Sequence, residues 1–246
     1  MPLARLALLL ACAACSALAA FAQDAAPKKT SPAPKTKAPN PVFASVTDTP
    51  GLPRVLLIGD SISMGYTLPV RAALAGRANV HRPPVNSGDT ARGVQSVDTW
   101  LGTGKWDVIH FNFGLHDLKY LDASGQLADP AKGGKLVASV EVYEANLRKI
   151  VARLKQTGAK LIFATTTPVP AGTAGRPEHA ELPYNAAAVR VMRELGVAVN
   201  DLHAFVKTRQ AEVQRPANVH FSDTGSARLA EVVVAALAPA LPPPAR

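Results

Sequence analysis

The stretch VLLIGDSISMGY, residues 55–66, decides the fold. Its four apolar residues, 55–58, run directly into Gly59, Asp60 and Ser61. A short apolar run that ends at such a turn is typical of a central strand in a parallel sheet. Reactive groups collect at the carboxyl ends of such strands, so Ser61 stands where a nucleophile would be useful. A serine here also commonly caps the next helix, and the stretch by itself favours neither role.

Strand-like and helix-like segments alternate after residue 54. The sequence predicts strands at 55–58, 78–82, 106–113, 160–165 and 197–199, and helices at 64–75, 92–101, 140–156, 183–195, 202–214 and 222–237. In the segment 140–156, apolar residues recur every three or four positions and form one stripe, and Gly158 ends the helix. This alternation predicts an α/β fold with a parallel sheet of about five strands, covered by helices on both faces.

The first fifty residues differ in composition from the rest. Residues 1–22 combine Arg5, an apolar run and a small-residue site ending at Ala22, which predicts a secretory signal peptide. A lipobox-like Leu-Leu-Ala-Cys sequence at Cys12 is an alternative lipidation site. Residues 23–53 are rich in Pro, Lys, Ala and Thr and predict a disordered tether. We therefore expect an exported protein, periplasmic or extracellular, with one domain at 54–240 and no transmembrane span.

Charge and cysteine content exclude several functions. The 246 residues carry a net charge of +9, and the 22 basic and 16 acidic residues after position 50 leave +6. These charges are dispersed without an aromatic ladder, so nucleic-acid binding is not expected. Both cysteines, Cys12 and Cys15, lie in the leader, which leaves no thiol nucleophile after cleavage. The sequence has no metal-ligand cluster and no phosphate-binding glycine loop, so no metal or cofactor is expected.

Other polar segments follow the predicted strands or precede the last helix. They are NSGDT at 86–90, GLHD at 114–117 and ANVHFSDTG at 217–225. Parallel right-handed winding brings such segments to one edge of the sheet. A serine hydroxyl needs a base within hydrogen-bonding reach, which His220 can supply. The backbone N–H groups of Ser61 and Gly88, with a side chain from the third segment, can stabilise an oxyanion.

In these segments the chain resembles the SGNH (GDSL) hydrolase family. The matching blocks, in order across residues 54–237, are Gly59-Asp60-Ser61-Ile62-Ser63; Gly88; Gly114, His116 and Asp117; and 217–220 ending at His220. The resemblance implies a three-layer α/β/α flavodoxin-like fold and a metal-independent esterase. It also implies Ser61 as nucleophile, His220 as base and Gly88 as an oxyanion donor.

The third block departs from the family pattern. His116 stands where the family has an asparagine oxyanion donor. An imidazole N–H can donate a hydrogen bond, so His116 is the favoured substitute. Asn112 and Asn86 are the alternative donors, with His116 then a packed histidine.

The last block departs as well, because Ala217 stands where the family has its triad aspartate. A triad aspartate holds the imidazole in the correct tautomer. Asn218, a backbone carbonyl or Asp223 would have to orient His220 instead, and the resemblance also allows a Ser–His dyad. Asp223 additionally lies where a helix cap is expected.

Other polar residues receive structural or peripheral roles. We expect Asp60 to fix the turn around the nucleophile, Asp117 to support the third block and His110 to lie in the core. His81 and Arg82 are either surface residues or substrate contacts. The long segment 165–185 offers further candidates for substrate recognition, Arg176, Glu178 and His179.

The sequence thus predicts an exported serine esterase or deacetylase. Its expected substrate is a short-chain ester, with acetyl the favoured acyl group, on a carbohydrate. One alternative is an O-acyltransferase acting on envelope polysaccharide. Another is a catalytically silent carbohydrate-binding or scaffold protein, in line with the two departures from the family pattern.

Overall fold

A computed structural model of the protein describes residues 40–242. The predicted signal peptide, Cys12 and the first part of the predicted tether lie outside the described residues. The strands are β1 (Arg54–Ile58), β2 (Asn79–His81), β3 (Val108–Phe111), β4 (Tyr120–Leu121), β5 (Lys135–Leu136), β6 (Lys160–Ala164) and β7 (Ala198–Asn200). The α-helices are α1 (Ser61–Ala73), α2 (Thr90–Leu101), α3 (Val140–Lys155), α4 (Glu181–Glu194), α5 (Leu202–Lys207), α6 (Gln210–Val213) and α7 (Asp223–Leu237).

Five parallel strands form the central sheet in the order β2-β1-β3-β6-β7. Strand β1 lies between β2 and β3, with Val55 opposite both Val80 and Val108. Residues 55–58 are buried because helices cover both faces. The predicted α/β architecture is therefore confirmed, with the strand order of flavodoxin-like folds.

The helices form two outer layers around this sheet. Helices α1 and α7 pack against each other, and α2, α3 and α4 form a second group of neighbours. The predicted apolar stripe of α3 is buried through Tyr143, Leu147, Ile150, Val151 and Leu154. Within residues 40–242, no helix is both long and apolar enough to cross a bilayer.

One local prediction was wrong, and one pair of strands was missed. The segment 202–214 is not one helix, because Arg209 leaves the helical conformation (φ −133°, ψ 15°) and separates α5 from α6. The antiparallel pair β4–β5, in which Tyr120 is opposite Leu136, was not predicted at all. Each strand has only two residues, too few to show a hydrophobic period.

The tether predicted at residues 23–53 includes residues that belong to the folded domain. Residues 40–53 pack against it, and Val42 is buried. Asn79 binds this segment through both polar atoms of its side-chain amide. Its Oδ1 accepts from Thr49 N–H (2.9 Å), and its Nδ2 donates to Thr49 O (3.0 Å) and Leu52 O (3.2 Å). These bonds satisfy the backbone of a segment whose composition alone favours disorder.

Candidate active site

The turn after β1 presents Ser61 at the start of a helix. Asp60 is the N-cap of α1, and its Oδ1 accepts from Ile62 N–H (2.9 Å). Ser61 is therefore the first helical residue, not the cap. Its N–H donates to no other residue of 40–242, because the first N–H groups of a helix lack intrahelical acceptors. This leaves both the hydroxyl and the N–H of Ser61 for a ligand.

His220 meets this serine from the far end of the chain. Its Nε2 lies 2.9 Å from Ser61 Oγ, although the two residues are 159 positions apart. The loop before α7 is fixed by Gln214, whose Nε2 donates to Pro168 O (2.8 Å) and Val219 O (3.2 Å). The packing of α1 against α7 then brings nucleophile and imidazole together.

Asn218 orients the imidazole. Its Oδ1 lies 2.9 Å from the backbone N of His220 and 2.8 Å from Nδ1 of the same residue. A backbone N–H can only donate, so the carboxamide atom facing it must be the oxygen. That oxygen also requires a proton on Nδ1. The lone pair of Nε2 then faces Ser61 Oγ, as a general base requires.

Neither the position of the family's acid, Ala217, nor the other side-chain candidate, Asp223, bonds the imidazole. Ala217 has a positive φ of 49°, and its Cβ faces Gly172. Asp223 is the first residue of α7 and lines a cavity of about 210 Å³ beside Ser61 and His220, without bonding the imidazole. The cap of α7 is Ser222, whose Oγ accepts from Gly225 N–H (2.9 Å), so the expected capping role of Asp223 was wrong.

The surroundings of His220 favour its neutral form. Partial burial lowers its pKa, and the positive charges of Arg176 and Arg215 lower it further against the opposing effect of Asp60. A histidine ordinarily titrates near pH 6.5. The imidazole therefore stays available as a base below that pH.

The second polar loop is bound to the nucleophile turn. Gly59 N–H donates to Ser87 Oγ (3.2 Å), and Ser87 N–H donates back to Gly59 O (3.1 Å). The N–H of Gly88 donates to Asn86 Oδ1 (2.9 Å). An oxyanion that used Gly88 would thus compete with Asn86 for this donor.

The loop after β3, called the third loop below, carries His116 on a turn that requires glycine. Gly114 has a φ of 148°, and a Cβ there would lie 2.1 Å from Thr166 Oγ1. Arg176 Nε donates to Leu115 O (2.9 Å), which fixes the turn beside His116. Nδ1 of His116 lies 3.2 Å from Lys119 Nζ. The alternative donor Asn112 is buried, and one N–H of its Nδ2 donates to Ala164 O (2.8 Å), which holds the amide against the end of β6.

Asp117 supports the third loop from inside the protein. It is fully buried, and its Oδ1 accepts from both N–H and Oγ–H of Thr90, the first residue of α2. Burial raises its pKa to about 7. Asp117 therefore joins the third loop to α2 and does not reach Ser61 or His220 through a hydrogen bond.

The predicted core position of His110 is confirmed, and the two residues that the sequence left uncertain, Arg82 and His81, are structural. His110 is buried, pairs with Asn200 Nδ2 (3.1 Å) and has its pKa lowered to about 4 by burial. Arg82 is buried too, and binds the first two loops rather than substrate or solvent. His81 contacts Asp48 with Nε2 at 2.5 Å.

Two cationic residues beside the site were not predicted from the sequence. Lys119 follows His116 by three residues, a spacing that can bring side chains together in a helical turn. Arg215 lines the cavity that holds Ser61 and His220, and nothing in its local sequence signals this. Among residues 40–242, no group of three or more His, Cys, Asp or Glu side chains is arranged to hold a metal ion.

Sequence comparison identifies the family. A profile described as the GDSL-like Lipase/Acylhydrolase family matches residues 57–228. The chain belongs to this family. The SGNH (GDSL) resemblance is confirmed, and this GDSL-like acylhydrolase is a serine ester hydrolase. A comparison with curated protein sequences found no significant match.

Solved structures share the fold of this acylhydrolase at low sequence identity. The lipase/acylhydrolase from Enterococcus faecalis has a TM-score of 0.63 at 19% identity and covers 79% of this chain and 100% of its own. The acetyl xylan esterase AlAXEase gives 0.60 at 14%, covering 75% and 99%. The acetylxylan esterase Axe2 from Geobacillus stearothermophilus gives 0.60 at 20%, covering 74% and 93%.

Proposed function

We propose that the protein is an exported serine esterase that removes a short acyl group, acetyl in the first instance, from a carbohydrate ester. The observation that carries this proposal is the chain of contacts from Asn218 Oδ1 through His220 to Ser61 Oγ. Export is inferred from the signal-peptide pattern of residues 1–22.

The contacts suggest a two-step reaction. His220 Nε2 takes the proton of Ser61 Oγ while that oxygen attacks the ester carbonyl, and then gives the proton to the departing alcohol. Water attacks the acyl-Ser61 ester next and passes a proton to the same nitrogen. Collapse of that intermediate returns the proton to Ser61 Oγ and releases the carboxylic acid.

Three donors would stabilise the negative oxygen in each step. Ser61 N–H has no competing acceptor among residues 40–242. Gly88 N–H would replace its bond to Asn86 by one to the oxyanion. His116 would supply the side-chain donor, because the amide of Asn112 is buried and held on Ala164 O.

Exposure of the site supports hydrolysis over acyl transfer. His220 is partly exposed and Ser61 is half-buried, so water can reach an acyl group on Ser61. An O-acyltransferase must instead keep water from its acyl intermediate. The open site therefore makes the transferase the second candidate.

The cavity and the relatives support a short acyl group on a sugar. The cavity beside Ser61 and His220 holds only about 210 Å³. A second groove of about 790 Å³ runs past Arg176 between the segments 122–132 and 172–178 and can accommodate a larger alcohol portion. Structural relatives include enzymes named as acetyl xylan esterases.

The test is hydrolysis of an aryl acetate and of acetylated xylo-oligosaccharides by the full chain, with a chelator present. We expect Ser61→Ala to lower kcat by on the order of 10³-fold or more. Ser96→Ala, a change on α2 with no side-chain hydrogen bond, is the matched control. A fluorophosphonate should add mass at Ser61 in the parent protein and in Ser96→Ala.

Each other outcome rejects a stated part of the proposal. Turnover that survives Ser61→Ala excludes this nucleophile. Absence of both turnover and phosphonate labelling favours the silent scaffold. Transfer of the acyl group to an added sugar at the expense of hydrolysis favours the O-acyltransferase.

A further inference from the structure

The side chain of Lys119 lies beside Nδ1 of the His116 ring. Lys119 Nζ lies 3.2 Å from His116 Nδ1, and both side chains are half-buried in the third loop. An ammonium group has three donors and no acceptor. Nδ1 therefore has to accept from Lys119 through its lone pair.

A neutral imidazole that accepts at Nδ1 carries its proton on Nε2. The surroundings keep His116 neutral, because burial lowers its pKa first and Lys119 and Arg176 lower it further. Asp60 and Asp89 act in the opposite direction without reversing the result. His116 thus presents an N–H donor at Nε2, on the ring edge away from Lys119.

We propose that Lys119 is a positioning residue that holds His116 as the Nε2–H tautomer and so makes it the oxyanion donor. This inference rests on the proposed function. An asparagine NH₂ group always donates, whereas each imidazole nitrogen donates or accepts according to where the proton resides. Histidine can replace asparagine in this role only if a neighbour fixes the proton, and Lys119 does so.

The loop around this pair is held by contacts that do not involve the side chain of Lys119. Arg176 Nε bonds Leu115 O, and Asp117 bonds Thr90 at the start of α2. A change at position 119 therefore alters what faces Nδ1 while these anchors stay in place. Lys119→Glu replaces a donor by an acceptor, which requires Nδ1–H and leaves a lone pair on Nε2.

The direct test is ¹⁵N NMR of the imidazole at pH 8.5, where the ring is neutral. We expect His116 to be the Nε2–H tautomer in the parent protein and in Lys119→Arg, and the Nδ1–H tautomer in Lys119→Glu. An Nδ1–H tautomer in the parent protein would overturn the inference. This measurement needs no turnover, so its result is separate from the fate of the proposed esterase function.

The kinetic test asks whether the effect of Lys119 passes through His116. At pH 8.5 we expect Lys119→Glu to lower kcat on the aryl acetate by on the order of 10²-fold with little change in KM, as loss of an oxyanion donor does. Lys119→Arg should stay within about threefold. Lys135→Glu, the same charge reversal on the exposed strand β5, is the matched control.

The decisive comparison uses His116→Asn, which restores a donor that has no tautomers. In this background we expect Lys119→Glu to lower kcat by less than about threefold, because an asparagine amide has no tautomer for position 119 to select. An equal loss in the parent and in the His116→Asn background would show that position 119 acts by charge or structure alone. That result would reject the positioning role.

Discussion

Asn218 does at this site what a triad aspartate does elsewhere. Its Oδ1 accepts from both the backbone and the ring of His220, so the proton on Nδ1 is fixed without a carboxylate. The missing charge has a consequence: burial first, and then Arg176 and Arg215, lower the pKa of His220, and Asp60 rather than a carboxylate bonded to Nδ1 opposes them. A neutral partner thus gives correct geometry together with a less basic imidazole.

Substitution of Asn218 should separate geometry from charge. We expect Asn218→Ala to lower kcat/KM by about 10- to 100-fold, less than the ~10⁴-fold loss caused by a wrong tautomer. Asn218→Asp should retain activity and raise the pKa of His220, so that the acidic limb of the pH–rate profile moves to higher pH. An unchanged rate for Asn218→Ala would contradict the orienting role.

Ala217 explains why a carboxylate at that position would not replace Asn218. Its φ of 49° lies in the left-handed region, and its Cβ faces Gly172. A side chain placed there follows the Cβ direction toward the 172–178 segment. Sequence alignment with the family's last block gives the position of the missing acid, whereas the backbone conformation shows where a side chain at that position points.

At the scale of elements, Arg82 connects the turn after β1 to the loop between β2 and α2. Its guanidinium donates to Gly59 O (3.2 Å), Val85 O (3.3 Å) and Thr67 Oγ1 (3.0 Å). The group is buried, and burial lowers its pKa to about 10, so it remains charged at neutral pH. Because Gly59 directly precedes the nucleophile turn, Arg82 joins β1 and the β2–α2 loop at the edge where Ser61 lies.

Loss of this guanidinium should destabilise the fold. We expect Arg82→Met to lower the free energy of unfolding by about 3 kcal/mol, because buried carbonyl oxygens lose their donors. Urea denaturation measures this change, with the exposed Arg77→Met as control. Equal stability of the two variants would mean that water satisfies these carbonyls instead.

The elements themselves were largely predictable from local patterns. The apolar stripe gave helix 140–156 against an observed Val140–Lys155, and the apolar run gave strand 55–58 against Arg54–Ile58. Prediction of secondary structure failed where a segment is too short to show a pattern, or where contacts with residues remote in sequence determine its conformation. The strands β4 and β5 are too short for a period, and residues 40–53 are ordered by Asn79, which is remote in sequence.

Site geometry was less predictable than the fold. Three blocks after strands and one before the last helix identify Ser61 and His220, and the structure places Ser61 Oγ 2.9 Å from His220 Nε2. The proton positions depend on Asn218 and Lys119, whose contacts arise from loop conformation. Sequence spacing does not specify which nitrogen of an imidazole faces which neighbour.

At the scale of the whole molecule, Asp117 links stability to pH. Its pKa is about 7 in the folded protein, against an ordinary value of 3.8. Between these values the folded state keeps a proton that the unfolded state has released. Rising pH therefore favours unfolding, with a slope approaching about 1.4 kcal/mol per pH unit.

Asp117→Asn should remove this dependence, because a carboxamide retains the acceptor for Thr90 and does not titrate. We expect the parent protein to lose about 2 to 3 kcal/mol more stability than the variant between pH 5 and pH 8. Urea denaturation at both pH values provides the comparison. Parallel losses in the two proteins would place the titrating group elsewhere.

The pairing of α1 with α7 also sets when the enzyme becomes active during its own synthesis. Ser61 leaves the ribosome early, but the imidazole that activates it belongs to the loop before the last helix. A nascent chain that has not yet reached residue 220 holds the nucleophile without its base. Ester cleavage through this pair therefore begins only when α7 has packed against α1 and placed His220 beside Ser61.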